Sequence, residues 1–160
     1  MALKQGDKIP DVKLTEMVDG RPSQVSLAEL SKGKRVVVFA VPGAFTPTCS
    51  MKHLPGFVDQ NAAIRAKGAD EIVCISVNDA FVMDAWGKHS NAGGKVRMLA
   101  DGNGEFTRAV GLALDASGFG MGQRSQRYAM ILRDGTVEAL MPEPGPGLSA
   151  SSADAVLAKL

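Results

Sequence analysis

Two runs of β-branched and aromatic residues limit the folds that are open to this chain. Residues 36–41 read VVVFAV and residues 72–77 read IVCISV, and neither run alternates regularly between apolar and polar side chains. Strands of this kind are buried on both faces, which is typical of a central sheet covered by helices. The intervening residues predict a helix over 50–67 that stops at Gly68. Strand, helix and strand in that order predict a parallel, right-handed βαβ unit.

A second helix is predicted after the second strand. Asp79, with Asn78 before it, is a suitable N-cap, and Gly93-Gly94 is expected to end the helix. Five residues are expected to share its buried face: Phe81, Val82, Ala85, Trp86 and His89.

The last third of the sequence predicts a β-hairpin. Residues 127–132 and 136–140 have strand composition and flank Asp134-Gly135, a favoured pair for a two-residue turn. Three further short elements are predicted: a strand over 96–100, a helix over 106–110 and a last helix that begins near Ser151.

These elements predict an α/β protein with a thioredoxin-like fold, in which helices flank a central mixed β-sheet. We expect one domain over residues 1–160, because a chain of this length buries a sufficient core by itself. A flavodoxin-like doubly wound sheet is the alternative, and it requires more βα repeats than the sequence contains.

Charge and hydropathy exclude several classes of partner. The net charge is +1 and the basic residues are dispersed, so a nucleic-acid partner is not expected. The apolar runs are much shorter than the roughly 20 residues that cross a bilayer, so no membrane association is expected. The first residues contain no apolar stretch of the kind found in export signals, which predicts a cytoplasmic protein. They carry five charged side chains instead: Lys4, Asp7, Lys8, Asp11 and Lys13.

The sequence contains no pattern typical of a metal site or a nucleotide-binding site. Cys49 and Cys74 do not form a C-x-x-C pair, and the chain has only two histidines, so neither a metal site nor a disulfide scaffold is expected. The glycines of residues 118–123 do not follow a strand and open a helix, as a dinucleotide-binding turn must. That segment therefore predicts a mobile loop.

Cys49 ends the segment PGAFTPTC and is predicted to lie in the first turn of a helix. Free backbone N–H groups and the helix dipole stabilise a thiolate there, and the thiolate is the reactive form of cysteine. The hydroxyl of Thr46, three residues earlier, is expected to fold back toward the sulfur. Pro42 and Pro47 are expected to shape the loop and to shield the sulfur from water. A cysteine that serves only in packing is the alternative.

Several motifs in the sequence resemble those of peroxiredoxins, and the loop around the thiol resembles the active-site loop of the type II, or peroxiredoxin-5-like, branch. They extend over nearly the whole chain: KIPDV at 8–12, PGAFTPTC at 42–49, SMKHLPGF at 50–57, SVNDAF at 76–81 and RSQRY at 124–128. The resemblance implies a thioredoxin-fold thiol peroxidase that reduces hydrogen peroxide and alkyl hydroperoxides without a metal or an organic cofactor.

The resemblance also implies roles for individual residues. Cys49 is the peroxidatic cysteine, which becomes a sulfenic acid, and Thr46 hydrogen-bonds its sulfur and the peroxide. Pro42 shields the pocket, and Arg127 is the catalytic arginine, whose guanidinium would stabilise the thiolate and polarise the peroxide. Arg124 lies only three residues away and is the second candidate for that role.

The remaining thiol leaves the recycling step open. Cys74 is expected to be a buried, inert thiol, or a disulfide partner of Cys49 if the two Cα atoms approach within about 7 Å. Some similar proteins have a resolving cysteine before the last helix, whereas residues 147–152 here read GLSASS. The resemblance therefore implies an external reductant, either glutaredoxin with glutathione or thioredoxin. It also implies a homodimer formed through the face that carries the active-site loop.

Other interpretations of these residues are available. His53 could act as a base, although a structural or surface histidine is expected. Four apolar side chains could line the pocket or a self-association surface, or belong to the core: Phe45, Phe81, Phe119 and Met121. A redox sensor and a general thiol-disulfide oxidoreductase are the alternative functions, and the second normally requires C-x-x-C.

Overall fold

A seven-stranded mixed sheet forms the centre of the protein in the computed structural model, which describes residues 2–145 and 147–160. The sheet strands are β1 (Lys13–Val18), β2 (Arg21–Ser26), β3 (Arg35–Val41), β4 (Glu71–Ser76), β5 (Arg97–Ala100), β8 (Tyr128–Arg133) and β9 (Thr136–Pro142). Their order across the sheet is β2-β1-β5-β4-β3-β8-β9. A separate hairpin consists of β6 (Ala113–Asp115) and β7 (Gln123–Ser125).

Helices cover both faces of this sheet. They are α1 (Leu27–Leu30), α2 (Leu54–Asp59), α3 (Asn61–Ala66), α4 (Ala80–His89), α5 (Glu105–Ala109) and α6 (Ala153–Leu157). Helices α2, α3, α4 and α6 pack on one face, and α1 and α5 pack on the other. Within the described residues, no helix combines the length and the apolar character that crossing a membrane requires.

Strand β3 explains why the first apolar run does not alternate. It pairs in parallel with β4 and antiparallel with β8, so it lies inside the sheet. Its side chains are fully buried on both faces: Val37, Phe39 and Val41 on one, and Val36, Val38 and Ala40 on the other. The predicted mixed sheet with flanking helices is confirmed. The doubly wound alternative is wrong, because β1, β8 and β9 run antiparallel to their neighbours.

The predicted helix over 50–67 is broken into three pieces. A π-helical turn covers Cys49–His53, and α2 and α3 follow it with a break at Gln60. Pro55 lies at the start of α2, where it has no N–H to donate and its ring crowds the carbonyl group four residues before it. The regular hydrogen-bond pattern cannot pass this point, and the N–H of Leu54 instead bonds five residues back to the carbonyl of Cys49.

Helix α4 has a different buried face from the predicted one. Asp79 is the N-cap as expected, but Phe81, Ala85 and His89 are exposed. The buried residues are Ala80, Met83, Trp86 and Gly87. Gly87 sets this orientation, because a Cβ atom there would lie 2.8 Å from Cγ of Met98 on β5. The helix also ends at His89, before the glycine pair that was expected to stop it.

The terminal hairpin forms where the sequence predicts it. Asp134 and Gly135 both have positive φ, 51° and 77°, as the favoured two-residue turn requires. The last helix begins one residue later than predicted, because Ser152 rather than Ser151 caps it by accepting a hydrogen bond from the N–H of Ala155. The sequence patterns predicted no element over residues 13–30, where the structure has β1, β2 and α1.

Candidate active site

The loop between β3 and the π-helical turn places Cys49 under the surface. Helical hydrogen bonding starts at Thr46, whose carbonyl accepts from the N–H of Ser50 at 2.8 Å. Cys49 therefore lies in the first turn, as predicted, and its side chain is fully buried. The N–H of Ala44 donates to Oδ1 of Asn78 at 3.0 Å, which fastens the loop to the end of β4.

Arg127 contacts the buried sulfur. It immediately precedes β8, and β8 pairs with β3 so that Tyr128 lies opposite Ala40. This pairing brings residue 127 to the end of β3, where the loop to Cys49 begins. One terminal guanidinium nitrogen donates to Sγ of Cys49 at 3.1 Å, and the other lies 2.9 Å from Nδ1 of His53.

His53 is fully buried, so a surface histidine is the wrong interpretation. A guanidinium has no acceptor, and Nδ1 of His53 must therefore accept the hydrogen bond from Arg127. Nε2 carries the proton and donates to the carbonyl of Ser151 at 2.8 Å. Burial lowers the pKa of His53 to about 4, so the ring is neutral near pH 7. The lone pair of Nδ1 already accepts the hydrogen bond from Arg127, which argues against a role of His53 as the base for Cys49.

Thr46 and Pro42 belong to the loop that leads to the thiol, but Thr46 does not make the expected hydrogen bond to the sulfur. The hydroxyl of Thr46 donates to the carbonyl of Gly43 at 2.7 Å, and in the described residues it makes no bond with the sulfur. The Gly43 carbonyl is close because the loop turns back on itself at this point. The lone pairs of the Thr46 oxygen remain able to accept a proton donor. Pro42 directly follows β3 and is half-buried.

Arg124 has a different set of partners from Arg127. Its Nε donates to the carbonyl of Met121, and a terminal nitrogen donates to the carbonyl of Val77, both at 2.9 Å. These bonds tie the turn between β6 and β7 to the end of β4. In the part of the chain that the structure describes, the arginine hydrogen-bonded to Cys49 is Arg127, the first of the two candidates.

Cys74 lies in the middle of β4, opposite Phe39 of β3. It is fully buried, and both cysteines are free thiols. Burial raises the pKa of Cys74 well above its usual range, Cys49 raises it further, and Arg127 opposes the shift. A neutral, enclosed thiol is a poor nucleophile, which favours the interpretation as an inert core residue.

Two residues that no sequence pattern linked to the site, Ser151 and Glu143, lie behind His53. The carbonyl of Ser151 accepts from the histidine, and Ser151 in turn donates from its N–H and its hydroxyl to the carboxylate of Glu143. No motif or spacing pointed to Glu143 or to this use of Ser151. The sequence indicated His53 only through its position one helical turn after Cys49, and that position did not identify the residues bonded to the histidine.

Three aromatic side chains that could have belonged to the core are exposed. The exposed fractions are 48% for Phe45, 64% for Phe81 and 87% for Phe119. Phe45 has a positive φ of 63°, and its ring lies near those of Trp86 and His89, with centroids 6.4 Å and 5.7 Å away.

Other features of the surface lie apart from this thiol. A cavity of about 640 Å³ is lined by residues of β1, α4 and β5 and by the loop from α4 to β5. Its lining includes neither Cys49 nor Arg127. Across residues 2–145 and 147–160, no three His, Cys, Asp or Glu side chains are grouped so that they could hold a metal ion. Residues 118–123 lie mainly in the turn of the β6–β7 hairpin, which contains a 3-10 turn over Ser117–Phe119 and leads into β7 rather than into an α-helix.

A family model and several named relatives are similar to this chain over nearly its whole length. Residues 4–157 match the family model described as Redoxin. Peroxiredoxin-2E-2, chloroplastic, of Oryza sativa subsp. japonica is 49% identical over 160 residues, which cover 97% of this chain and 71% of that protein. Peroxiredoxin-2B of Arabidopsis thaliana is 46% identical over 156 residues, which cover 97% and 96%. The crystal structure of reduced Prx3 in complex with H2O2 from Vibrio vulnificus superposes with a TM-score of 0.94 at 47% identity, covering 98% of each chain.

Proposed function

This chain belongs to the redoxin family and is a peroxiredoxin, and from that premise we propose how its residues reduce a peroxide and what recycles them. The protein has the thioredoxin-like fold of this family and is a thiol-dependent peroxidase. Peroxiredoxins act on peroxides and are reduced by thioredoxin-type partners. The proposal concerns four points: the residue roles, the preferred peroxide, the individual reductant and the oligomeric state.

In the proposed reaction, the thiolate of Cys49 attacks one oxygen of the peroxide. The S–O bond forms as the O–O bond breaks, which leaves a sulfenic acid on Cys49 and releases water or an alcohol once the departing oxygen takes up a proton. The 3.1 Å contact from Arg127 to the sulfur carries this assignment. A guanidinium at that distance stabilises the thiolate and, during attack, the negative charge that moves to the leaving oxygen.

Thr46 has the acceptor role in this scheme. Because its own proton is donated to Gly43, its oxygen is oriented to accept a hydrogen bond from the O–H of the peroxide. Pro42 limits the access of water from the β3 side of the loop. Full burial of Cys49 favours hydrogen peroxide and small alkyl hydroperoxides over bulky substrates.

The proposed reductant is glutaredoxin with glutathione, or thioredoxin. An external thiol attacks the sulfenic acid and releases water, and a second thiol then breaks the mixed disulfide and restores Cys49. Two observations support external reduction: residues 147–152 contain no cysteine, and Cys74 is enclosed in the core.

We also propose a homodimer formed through the active-site face. The exposed rings of Phe45, Phe81 and Phe119 support this, because grouped exposed aromatic side chains are typical of interaction surfaces. The three rings lie at one end of the sheet, since Asn78 fastens the first loop and Arg124 fastens the β6–β7 turn there.

The test compares substitutions of the two cysteines by steady-state turnover with two reducing systems. Hydrogen peroxide consumption is measured with thioredoxin and its reductase, and separately with glutaredoxin, glutathione and glutathione reductase. We expect Cys49→Ser to lose turnover in both assays and Cys74→Ser to retain a substantial part of it, because only the first removes the nucleophile. Turnover by Cys49→Ser at the wild-type rate would refute the assignment. Rapid oxidation of wild-type Cys49 without turnover by either reductant would instead indicate a redox sensor.

A further inference from the structure

We propose that Glu143 is a positioning residue for peroxide reduction, which acts through the segment 149–151 and His53 to aim Arg127 at the reactive sulfur. This inference rests on the proposed function, since it assumes that the guanidinium contact assists the reaction. Glu143 lies outside hydrogen-bond contact with the sulfur and follows the end of β9 directly. Its influence would therefore pass through a chain of hydrogen bonds.

The first link is a carboxylate that holds three consecutive residues. Glu143 accepts from the N–H groups of Ser149, Ala150 and Ser151 and from the hydroxyls of the two serines, at 2.6–3.1 Å. Burial would raise the pKa of Glu143, but the hydrogen bonds from Ser151 and Ser149 outweigh it and lower the pKa to about 2. The group is therefore an anion near neutral pH, and it fixes the backbone of the segment.

The second link is the main-chain carbonyl of Ser151. This residue is fully buried, and its carbonyl accepts from Nε2 of His53 at 2.8 Å. The bond selects the tautomer with its proton on Nε2, so that Nδ1 is free to accept. The ring also packs against Phe39 and Phe57, with centroids 4.9 Å and 5.6 Å away. Packing and hydrogen bonding together define one orientation of the imidazole.

The third link joins His53 to the guanidinium. Nδ1 accepts from one terminal nitrogen of Arg127 at 2.9 Å, which leaves the other to donate to Sγ of Cys49 at 3.1 Å. The N–H of Glu143 also donates to the carbonyl of Arg127 at 2.9 Å. A side-chain substitution at Glu143 leaves that main-chain bond in place, so it isolates the contribution of the carboxylate.

The test uses Glu143→Gln with Glu138→Gln as a matched control. Glu138 lies toward the other end of β9 and accepts from Arg35 and Arg133, so its substitution removes the same charge without touching the chain of bonds to His53. Single-turnover oxidation of Cys49 by hydrogen peroxide is followed by quenched-flow mass spectrometry. We expect Glu143→Gln to slow it by roughly tenfold to a hundredfold, as a misplaced reacting group does, and Glu138→Gln to leave it near the wild-type rate.

A second readout separates positioning from general loss of structure. Glu143→Gln should shift the nitrogen-15 resonances of His53, because the carbonyl of Ser151 is no longer fixed against Nε2. Glu143→Asp, which keeps the charge, should recover part of the rate. A Glu143→Gln variant that melts earlier but keeps the wild-type oxidation rate and His53 resonances would overturn the proposal.

The wild-type protein supplies an independent check that does not depend on whether a variant folds. Nitrogen-15 NMR of the imidazoles should show His53 neutral with its proton on Nε2 at pH 7. A proton on Nδ1, or a His53 that titrates near 6.5, would contradict the proposal while leaving the peroxidase activity untouched. Failure of wild-type Cys49 to react with peroxide would instead refute the proposed function.

Discussion

At the scale of the residue, Arg127 divides its hydrogen bonds between a sulfur and an imidazole nitrogen. A planar guanidinium makes two such bonds at a fixed angle, whereas an ammonium group is a point charge on a flexible chain. The sequence motif led to Cys49, Thr46 and Arg127 and ranked Arg127 above Arg124. Glu143 and Ser151 left no such trace, because a hydrogen bond across the tertiary structure produces neither a periodicity nor a motif.

Replacing Arg127 by lysine tests whether this geometry matters beyond charge. We expect Arg127→Lys to slow single-turnover oxidation of Cys49 by about a hundredfold, the typical effect of losing one oriented donor at a reacting centre. Arg124→Lys is the matched control, because it makes the same chemical change in an arginine that holds the β6–β7 turn. An equal loss in both variants would show that the arginines act through the loops rather than through the sulfur.

At the scale of the element, the apolar runs of β3 and β4 and the Asp134-Gly135 turn were predictable because each is a local pattern. The helix after Cys49 was not, since its π-helical turn depends on how Pro55 interrupts the hydrogen-bond ladder and the helix breaks again at Gln60. The buried face of α4 was missed for a related reason. A buried face is predicted from large apolar side chains, so Gly87 is overlooked. The absence of a side chain at Gly87 is nevertheless what lets α4 pack closely against β5.

Substitution of Gly87 should reveal this contact. An alanine Cβ would lie 2.8 Å from Cγ of Met98, in the middle of that side chain rather than at its flexible end. We expect Gly87→Ala to lower the free energy of unfolding by about 1–3 kcal/mol, because overpacking outweighs the better helix propensity of alanine. Gly93→Ala is the control, since a Cβ there meets no atom within 4 Å. Urea unfolding that shows Gly87→Ala to be as stable as wild type would contradict this account of the packing.

At the scale of the whole molecule, the sheet collects the reactive groups at one end. The end of β3, the end of β4 and the start of β8 lie side by side, which gathers Cys49, Asn78 and Arg127 from distant parts of the chain. The fold class was predictable because the order of the strong elements allows few topologies. Strand β1 and the edge strand β2 were not, because their sequences lack a continuous apolar run.

The proposed homodimer belongs to this scale and has a direct test. We expect wild-type protein to sediment as a dimer and Phe81→Asp to sediment as a monomer, because a charge replaces an exposed ring on the proposed interface. Phe81 is in the first turn of α4, where a carboxylate is well tolerated, so the fold should survive. Val18→Asp is the control, since Val18 is also exposed but ends β1. A monomeric wild-type protein, or a dimeric Phe81→Asp, would remove this face from the interface.

The hydrogen bond from Nε1 of Trp86 to the hydroxyl of Ser50, 2.9 Å long, gives the protein an optical reporter. Trp86 is the single tryptophan of the chain, and its partner is the residue next to Cys49. Any rearrangement of the turn that carries the oxidised sulfur therefore changes the surroundings of the indole. When the enzyme is excited at wavelengths that indole absorbs and Tyr128 does not, its fluorescence comes from one fluorophore bonded to the reactive turn, so oxidation and recovery can be watched in real time without a dye.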